Sequence, residues 1–457
     1  SCSLVGSEMC IRDRTYDIAV GSHQAKEPEH MSTITKVKTY DFRFPTSTTL
    51  SGSDAMNPDP DYSSAYVEIS TSADDGITGV GFVFTIGRGN DVVCKAIESM
   101  SQVLIGRNTE ELLDNMRIAW DLFVHDSQLR WLGPEKGVEH MAIGAVLSAL
   151  WDIKAKRAGK PLWLLLGEME PEELVSTLDF RYMTDALRPE EAVAILKEGQ
   201  KGKAERIKHL LEVGYPGYST APGWLGYSDE KMVALAKEET QVKGFKQIKL
   251  KVGQNINDDL RRLSKAREAI GPDVRLAVDA NQVWDVPTAI DWINKFHDFD
   301  LAWVEEPTSP DDVIGHATIA RAINPIKVAT GEQMQSRILY KQYLQANAFG
   351  IMQIDATRVA GPQEIVLEYL LAKKFNKPVC PHAGGVGLCE AVCHFAMFDY
   401  VAVSGTMDGR MIEYVDNQHE HFVHPTEIKD GNYVAPTAPG NGTEMTLETA
   451  EKYLYRC

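Results

Sequence analysis

Three carboxylates, Asp279, Glu305 and Glu332, each close a short apolar run: Leu276-Ala277-Val278, Ala302-Trp303-Val304 and Val328-Ala329-Thr330-Gly331. Before them stands Ile248-Lys249-Leu250-Lys251, in which apolar and cationic residues alternate. From Lys251 through Asp279 and Glu305 to Glu332 the intervals are 28, 26 and 27 residues, with helix-like sequence between the runs. A strand plus a crossover helix has that length, so the runs read as parallel neighbours. Their terminal side chains would then emerge on one rim of the sheet, the rim that carries catalytic groups in (β/α)₈ barrels. Carboxylates from three adjacent strand ends form a hard, all-oxygen ligand set that suits Mg2+ and leaves positions for water and substrate.

A cation held there could stabilise the enediolate formed when the proton α to a carboxylate is removed. A base must then stand to one side of the substrate. Lys249 and Lys251 are two apart on a strand and share a face. Each ammonium disfavours the charge of the other and a divalent cation adds to this, which makes Lys251 a candidate base. The alternative is a pair of fixed counter-ions for the acidic rim. Further along, Ile351-Met352-Gln353-Ile354 ends in Asp355 and Pro378-Val379-Cys380-Pro381 ends in His382. A carboxylate beside an imidazole fixes its tautomer and raises its basicity, giving an acid or base near neutral pH. Lys251 and His382 would face a substrate from two sides, an arrangement open to both racemisation and elimination.

The elements that position these residues follow from the periodicity. After β-like sequence over 35–44, 65–70 and 79–85, the pattern turns helical over 92–104, 109–124 and 138–157, which predicts an α+β domain. Its first two strands are joined by a long segment, 48–62, rich in Ser, Gly, Asp and Pro, the kind of loop that serves as a lid or binding element. Barrel sequence begins near Val175, and either 175–181 or 215–220 supplies its first strand. Residues 400–404 read as the eighth strand. The predicted division is a leader over 1–30, a capping domain over 31–172, a barrel over 173–412, and a segment from 413 to 457 that returns to the cap. The leader has no apolar core of signal-peptide length, and Met31 is a plausible start. Gly384-Gly385-Val386-Gly387 lacks the Lys-Ser/Thr of a phosphate loop and reads as a tight turn.

The bulk composition narrows the partners. With 65 acidic against 47 basic residues the net charge is −18, and there is no long Lys/Arg cluster. Binding to nucleic acid or an anionic membrane surface is disfavoured. No apolar run approaches the roughly 20 residues of a membrane span. Seven cysteines in a chain of this size read as free thiols in a reducing compartment.

Five motifs together resemble the mandelate racemase branch of the enolase superfamily. They are Lys249-Leu250-Lys251-Val252-Gly253, Asp279-Ala280-Asn281-Gln282, Trp303-Val304-Glu305-Glu306-Pro307-Thr308, Ala329-Thr330-Gly331-Glu332-Gln333, and Cys380-Pro381-His382-Ala383-Gly384-Gly385-Val386-Gly387. The resemblance extends over 33–444 and is closest to the L-fuconate dehydratases. It implies an α/β fold, a modified TIM barrel (β/α)₇β under an N-terminal α+β capping domain. It also implies Mg2+ held by Asp279, Glu305 and Glu332, with acid/base work shared by Lys251, assisted by Lys249, and the Asp355-His382 pair. By the same resemblance Asn281 hydrogen-bonds the substrate, and Glu413 donates to its carboxylate. Asp54, Asn57, Asp59 and Tyr62 of the capping loop read the far end of the sugar, joined by Trp131 and Lys136. The expected reaction is dehydration of a small acid sugar, L-fuconate, by a cytoplasmic or mitochondrial homo-oligomer. The alternatives are a dehydratase or epimerase of another aldonate and a non-catalytic regulatory barrel.

Overall fold

The structure, a computed structural model, describes residues 31–456, so the expected leader lies outside the described residues. Strands β1 (Ile34–Arg43), β2 (Ser63–Thr71) and β3 (Thr78–Thr85) form an antiparallel meander, as the alternation predicts. Against it lies the helix Gly137–Arg157, whose apolar residues surround it on all sides. Such a helix must be covered all round. It is, because the cap sheet packs on one side and the barrel helix Pro362–Lys374 on another, where Trp151 Nε1 donates to Gln363 Oε1 at 2.9 Å.

The second sheet contains β4 (Tyr215–Ser219), β5 (Gln247–Lys251), β6 (Arg275–Asp279), β7 (Leu301–Glu305), β8 (Lys327–Thr330) and β9 (Ile351–Met352), each parallel to the next. A bridge from Met352 to Val379 adds the seventh position. The eighth is β10 (Ile412–Tyr414), which pairs with β4 in parallel. The ladder stops between the seventh and eighth positions, where one backbone hydrogen bond, Glu413 N to Pro381 O at 3.3 Å, spans the gap. The fold is therefore the α/β, TIM-barrel-like arrangement under an α+β cap. Tyr218, Ala277, Trp303, Ala329, Ile351 and Cys380 fill the ring from within as a small separate core.

Three local readings differ from the sequence expectation. The first barrel strand is β4, whereas the alternative at 175–181 follows the short helix Pro171–Ser176 as turns. Residues Asp399–Ser404 continue the helix Leu388–Phe398 as a π-helical turn, so the eighth strand is β10 and the boundary drawn at Glu413 falls inside it. The chain then forms a hairpin, β11 (Ile428–Lys429) and β12 (Asn432–Tyr433), along the outer edge of β4 before it reaches the cap. There Leu454 bridges Phe42 of β1. The described cysteines, Cys94, Cys380, Cys389 and Cys393, are all buried free thiols.

Candidate active site

Lys251, Asp279 and Glu305 are direct neighbours across the ladder, with Lys251 opposite Asp279 and Asp279 opposite Glu305. Glu332 follows Gly331, whose φ is +147° and where a Cβ would lie 1.7 Å from Gln353 O. Only glycine permits that approach of β8 to the next strand, and it sets the direction in which Glu332 leaves the barrel. Asp279, Glu305 and Glu332 each present one oxygen within 4.8 Å of the others, and all three are buried. Glu332 Oε2 is a buried acceptor without a hydrogen-bond partner among the described residues. An orphaned carboxylate oxygen inside an all-oxygen triad is what a hard divalent cation satisfies, so the residues fit Mg2+.

Beneath the triad Lys249 is fully buried. It pairs with Glu305, with Glu413 Oε1 at 2.9 Å and with Asp279 Oδ2 at 3.4 Å. Burial would discharge it, but Glu305 and Glu413 outweigh burial and hold it charged. Burial also raises the Glu305 carboxyl to about 8, with Lys249 opposing the rise and Asp279 adding to it. Lys251 Nζ lies 2.6 Å from Asp279 Oδ2. Here the expected mutual repulsion of the two lysines is the weaker effect. Burial and Lys249 lower the pKa of Lys251, yet Asp279, Glu332 and Asp54 raise it beyond its ordinary value. Its backbone is also fixed, because buried Arg262 donates to Lys251 O at 2.6 Å, Gly223 O at 3.0 Å and Trp224 O at 3.2 Å.

His382 Nδ1 stands 2.7 Å from Asp355 Oδ2. Its Nε2 faces Glu332 Oε2 at 3.6 Å and Glu413 Oε2 at 3.9 Å. Burial alone would depress His382, but Glu332, the Asp355 hydrogen bond and Glu413 push it up to about 10. Asp355 is steadied in turn by Thr357, whose N and Oγ1 donate to Oδ1 at 2.7 and 3.0 Å. Glu413 accepts from Thr220 Oγ1 at 2.5 Å and Ala383 N at 3.0 Å. Burial raises its pKa, but Lys249, His382 and Lys251 lower it to about 2. In this arrangement Glu413 is an acceptor, and the expected donation from its carboxyl is not what its contacts provide.

Over these groups lies a cavity of about 290 Å³ lined by Lys251, Asn281, Glu332, Asp355 and His382 from the barrel and by Asp54 and Tyr62 from the capping loop. Asn281 Oδ1 is a further buried acceptor without a partner among the described residues. Tyr62 is buried and donates through Oη to Gly384 O at 2.8 Å. A Cβ at Gly52, with φ +89°, would lie 2.3 Å from that hydroxyl, so the loop closes over the ring only because residue 52 is glycine. Ser51 Oγ and Tyr227 Oη lie 3.0 Å apart and Ser53 Oγ accepts from Gly226 N at 2.9 Å, tying the loop to the segment that follows β4.

Four of the expected sugar contacts stand elsewhere. Asn57 closes the loop turn, its N donating to Asp54 Oδ1 at 2.7 Å and its O accepting from Asp54 N at 3.0 Å. Asp59 is exposed. Trp131 is 91% exposed on a short turn, and Lys136 lines a separate cavity of about 520 Å³ between the segment 124–136 and the barrel. The sequence reading missed Trp224, Gln333, Arg88, Phe84, Met141 and Arg358, all of which line the catalytic cavity. For Arg358 a signal existed: it lies three residues beyond Asp355, on the loop leaving the rim.

Residues 231–450 match the enolase C-terminal domain-like family, and residues 59–167 the mandelate racemase / muconate lactonizing enzyme N-terminal domain. Mitochondrial enolase superfamily member 1 of Homo sapiens is 48% identical over 424 residues, covering 92% of this chain and 96% of that protein. The chain belongs to the enolase superfamily, in its mandelate racemase branch. The crystal structure of the same human protein superposes with a TM-score of 0.91 at 48% identity, covering 93% of this chain and 96% of that one. L-galactonate dehydratase of Hypocrea jecorina is 48% identical over 428 residues, with 93% of this chain and 94% of that protein covered. L-talarate dehydratase from Polaromonas sp. JS666, solved in complex with Mg and L-glucarate, superposes at 26% identity with a TM-score of 0.69, covering 93% and 98% of the two chains. Mg is present in the solved relative, and the carboxylate triad of this chain could hold such an ion.

Proposed function

We propose that the protein is an L-fuconate dehydratase, converting L-fuconate to 2-keto-3-deoxy-L-fuconate. The coarser class, a lyase that dehydrates an acid sugar, is that of relatives such as L-galactonate dehydratase. The observation that carries the reading is one cavity, of a size for a six-carbon acid, walled by Lys251 on one strand and the Asp355-His382 pair on two others beside the carboxylate triad. A racemase could use the same two groups. Dehydration is favoured because L-galactonate dehydratase, 48% identical, is named for that reaction, and the Asp355-His382 pair can carry a proton for a leaving hydroxyl.

Asp279, Glu305 and Glu332 would hold Mg2+. When bound it supplies positive charge that offsets the second negative charge of an enediolate and cancels the carboxylate field that keeps Lys251 charged. Lys251, neutral, takes the proton from C2. The electron pair left on C2 becomes the C2–C3 double bond as the C3–O bond breaks. His382 Nε2 gives its proton to the departing oxygen, and the two leave as water. The enol then takes a proton at C3 and gives up the one on its C2 oxygen, becoming the 2-keto acid. Asp355 keeps the imidazole oriented through Nδ1, and Lys249, pinned by Glu305 and Glu413, stays a fixed counter-charge. Asn281 offers its unpartnered Oδ1 to a substrate hydroxyl, and Asp54 and Tyr62 close the far wall. A homo-oligomer in the cytoplasm or mitochondrion fits this reading. Among the described residues no helix is long and apolar enough to cross a membrane.

The test is to incubate the folded variants His382→Asn and Lys251→Ala with L-fuconate and Mg2+ in D₂O and follow the C2 proton by NMR. Elimination fails in both, while exchange at C2 persists in His382→Asn and is lost in Lys251→Ala. The opposite pattern makes His382 the base. No turnover of L-fuconate by the wild type, with turnover of another aldonate in a panel, replaces the substrate.

A further inference from the structure

The guanidinium of Arg358 lines the catalytic cavity with no oxygen partner among the described residues. It is half-buried, and its one hydrogen bond among the described residues runs from Nη1 to the thioether of Met141 at 3.6 Å. Two buried guanidiniums carry oxygen partners instead: Arg262 donates to three carbonyls, and Arg337 pairs with Glu135 at 2.8 Å, Asp179 at 3.3 Å and Glu364 at 3.5 Å. Five N–H donors in a rigid fork, partly withdrawn from water, call for oxygen acceptors. The cavity wall that Arg358 shares with Lys251, Asn281 and His382 opens onto one place where such acceptors arrive, the substrate.

Its backbone is also set with respect to the catalytic pair. Thr357 is anchored by two hydrogen bonds to Asp355, and its Oγ1 accepts from Phe84 N of β3 at 3.3 Å. Arg358 therefore leaves the chain at the seam between barrel and cap, with Phe84, Met141 and Arg88 of the cap in the same wall. The carboxylate end of the substrate belongs at the triad and the reacting carbons at Lys251 and His382. The seam is left for the far end of the carbon chain.

We infer that Arg358 is a specificity-determining residue, donating in bidentate fashion to a pair of oxygen acceptors at the distal end of the acid sugar. Those acceptors are vicinal hydroxyls in an aldonate or a terminal carboxylate in a diacid. This rests on the acid-sugar reading above and extends it, because it makes chain length a determinant of efficiency. An acceptor-free short substrate leaves the fork unpaired, and a site built to hydrogen-bond an oxygen rejects the analogue that lacks it.

The experiment is a length series: four-, five- and six-carbon aldonates of one configuration at C2 and C3, plus the six-carbon diacid, assayed with Mg2+ in the wild type, Arg358→Met and Arg358→Lys. The readout is the ratio of kcat/KM for the six-carbon over the four-carbon acid. In Arg358→Met that ratio falls at least tenfold, with KM for the long substrates carrying most of the change, and Arg358→Lys is intermediate. Loss that is larger for the diacid assigns the acceptors to a carboxylate, and loss that is larger for the aldonate assigns them to hydroxyls. A ratio within twofold of the wild type in Arg358→Met overturns the proposal, as does a ratio that collapses in Arg88→Met instead. If the wild type dehydrates none of these acids, the functional reading fails. Calorimetric binding of the same series to wild type and Arg358→Met then judges Arg358 separately, by whether the long-over-short preference in Kd depends on it. If Arg358→Met does not fold, Arg358→Lys and Arg358→Gln carry the same comparison.

Discussion

The charge of His382 offers the most direct physical check on the site. In the metal-free protein its pKa is raised from 6.5 to about 10, worth roughly 5 kcal/mol at 1.36 kcal/mol per unit. Burial works against the rise, and Glu332, the Asp355 hydrogen bond and Glu413 produce it, with Glu332 the largest contributor. The group is raised above its unfolded value, so its stabilisation is fully present below about 6.5 and is lost as pH climbs through about 10. Three outcomes follow from these causes. Without metal, the C–H resonances of His382, assigned by their absence in His382→Asn, titrate well above 8. Saturating Mg2+, by neutralising Glu332, lowers that midpoint by one unit or more. Glu332→Gln and Asp355→Asn each lower it as well. A metal-free midpoint near 6.5, or one indifferent to Mg2+, would refute the reasoning, because either result means that the carboxylates do not dominate the imidazole's surroundings.

Glu305→Gln abolishes turnover while leaving the far-UV circular dichroism intact, and the rise in Tm on adding Mg2+ disappears with it; full activity after exhaustive chelation would contradict the metal assignment. Tyr62→Phe leaves buried Gly384 O without its donor and costs about 1–3 kcal/mol in urea unfolding. It also changes the ranking among acid sugars more than C2 exchange, and an unchanged ranking would place the selective contacts elsewhere. Glu364 is held near 2, where burial would raise it but His140 and Arg337 lower it. Its stabilisation is therefore present above about 4.5 and lost as pH falls toward 2. Glu364→Gln should destabilise by about 3 kcal/mol at pH 7, a gap that narrows below pH 4.5 in chemical denaturation.

The sequence displayed the rim of the barrel clearly because parallel strands are buried on both faces and their apolar runs recur at one spacing. Lys251, Asp279, Glu305, Glu332, Asp355 and His382 could be placed by that rhythm alone. The eighth strand could not. Tyr400-Val401-Ala402-Val403-Ser404 has the composition of a strand, yet it continues a buried helix, whereas β10 has three residues and too little pattern to register. Long-range placement was the other obscured quantity. Nothing in the types of Asn57, Asp59, Trp131 or Lys136 reveals that the loop turn, solvent and a second cavity claim them. The counter-charge of Lys251 was hidden for a related reason, since its neighbour on the strand is visible in sequence and the carboxylate across the ladder, 2.6 Å away, is not.

The seam between cap and barrel carries a consequence for turnover. His140 meets Glu364 Oε2 at 2.5 Å and Trp151 meets Gln363 at 2.9 Å, both pairs buried. A hinge cannot open there without stripping several polar groups of their partners at once. The movable piece is the stretch 46–61, held by a few hydroxyl contacts and by the Tyr62 ring under Gly52. If any part of the cavity wall shifts to admit substrate, that strap can do so at the least cost in buried polar contacts. A lineage can retune what the strap admits, and how quickly it lets go, without disturbing the proton chemistry beneath it.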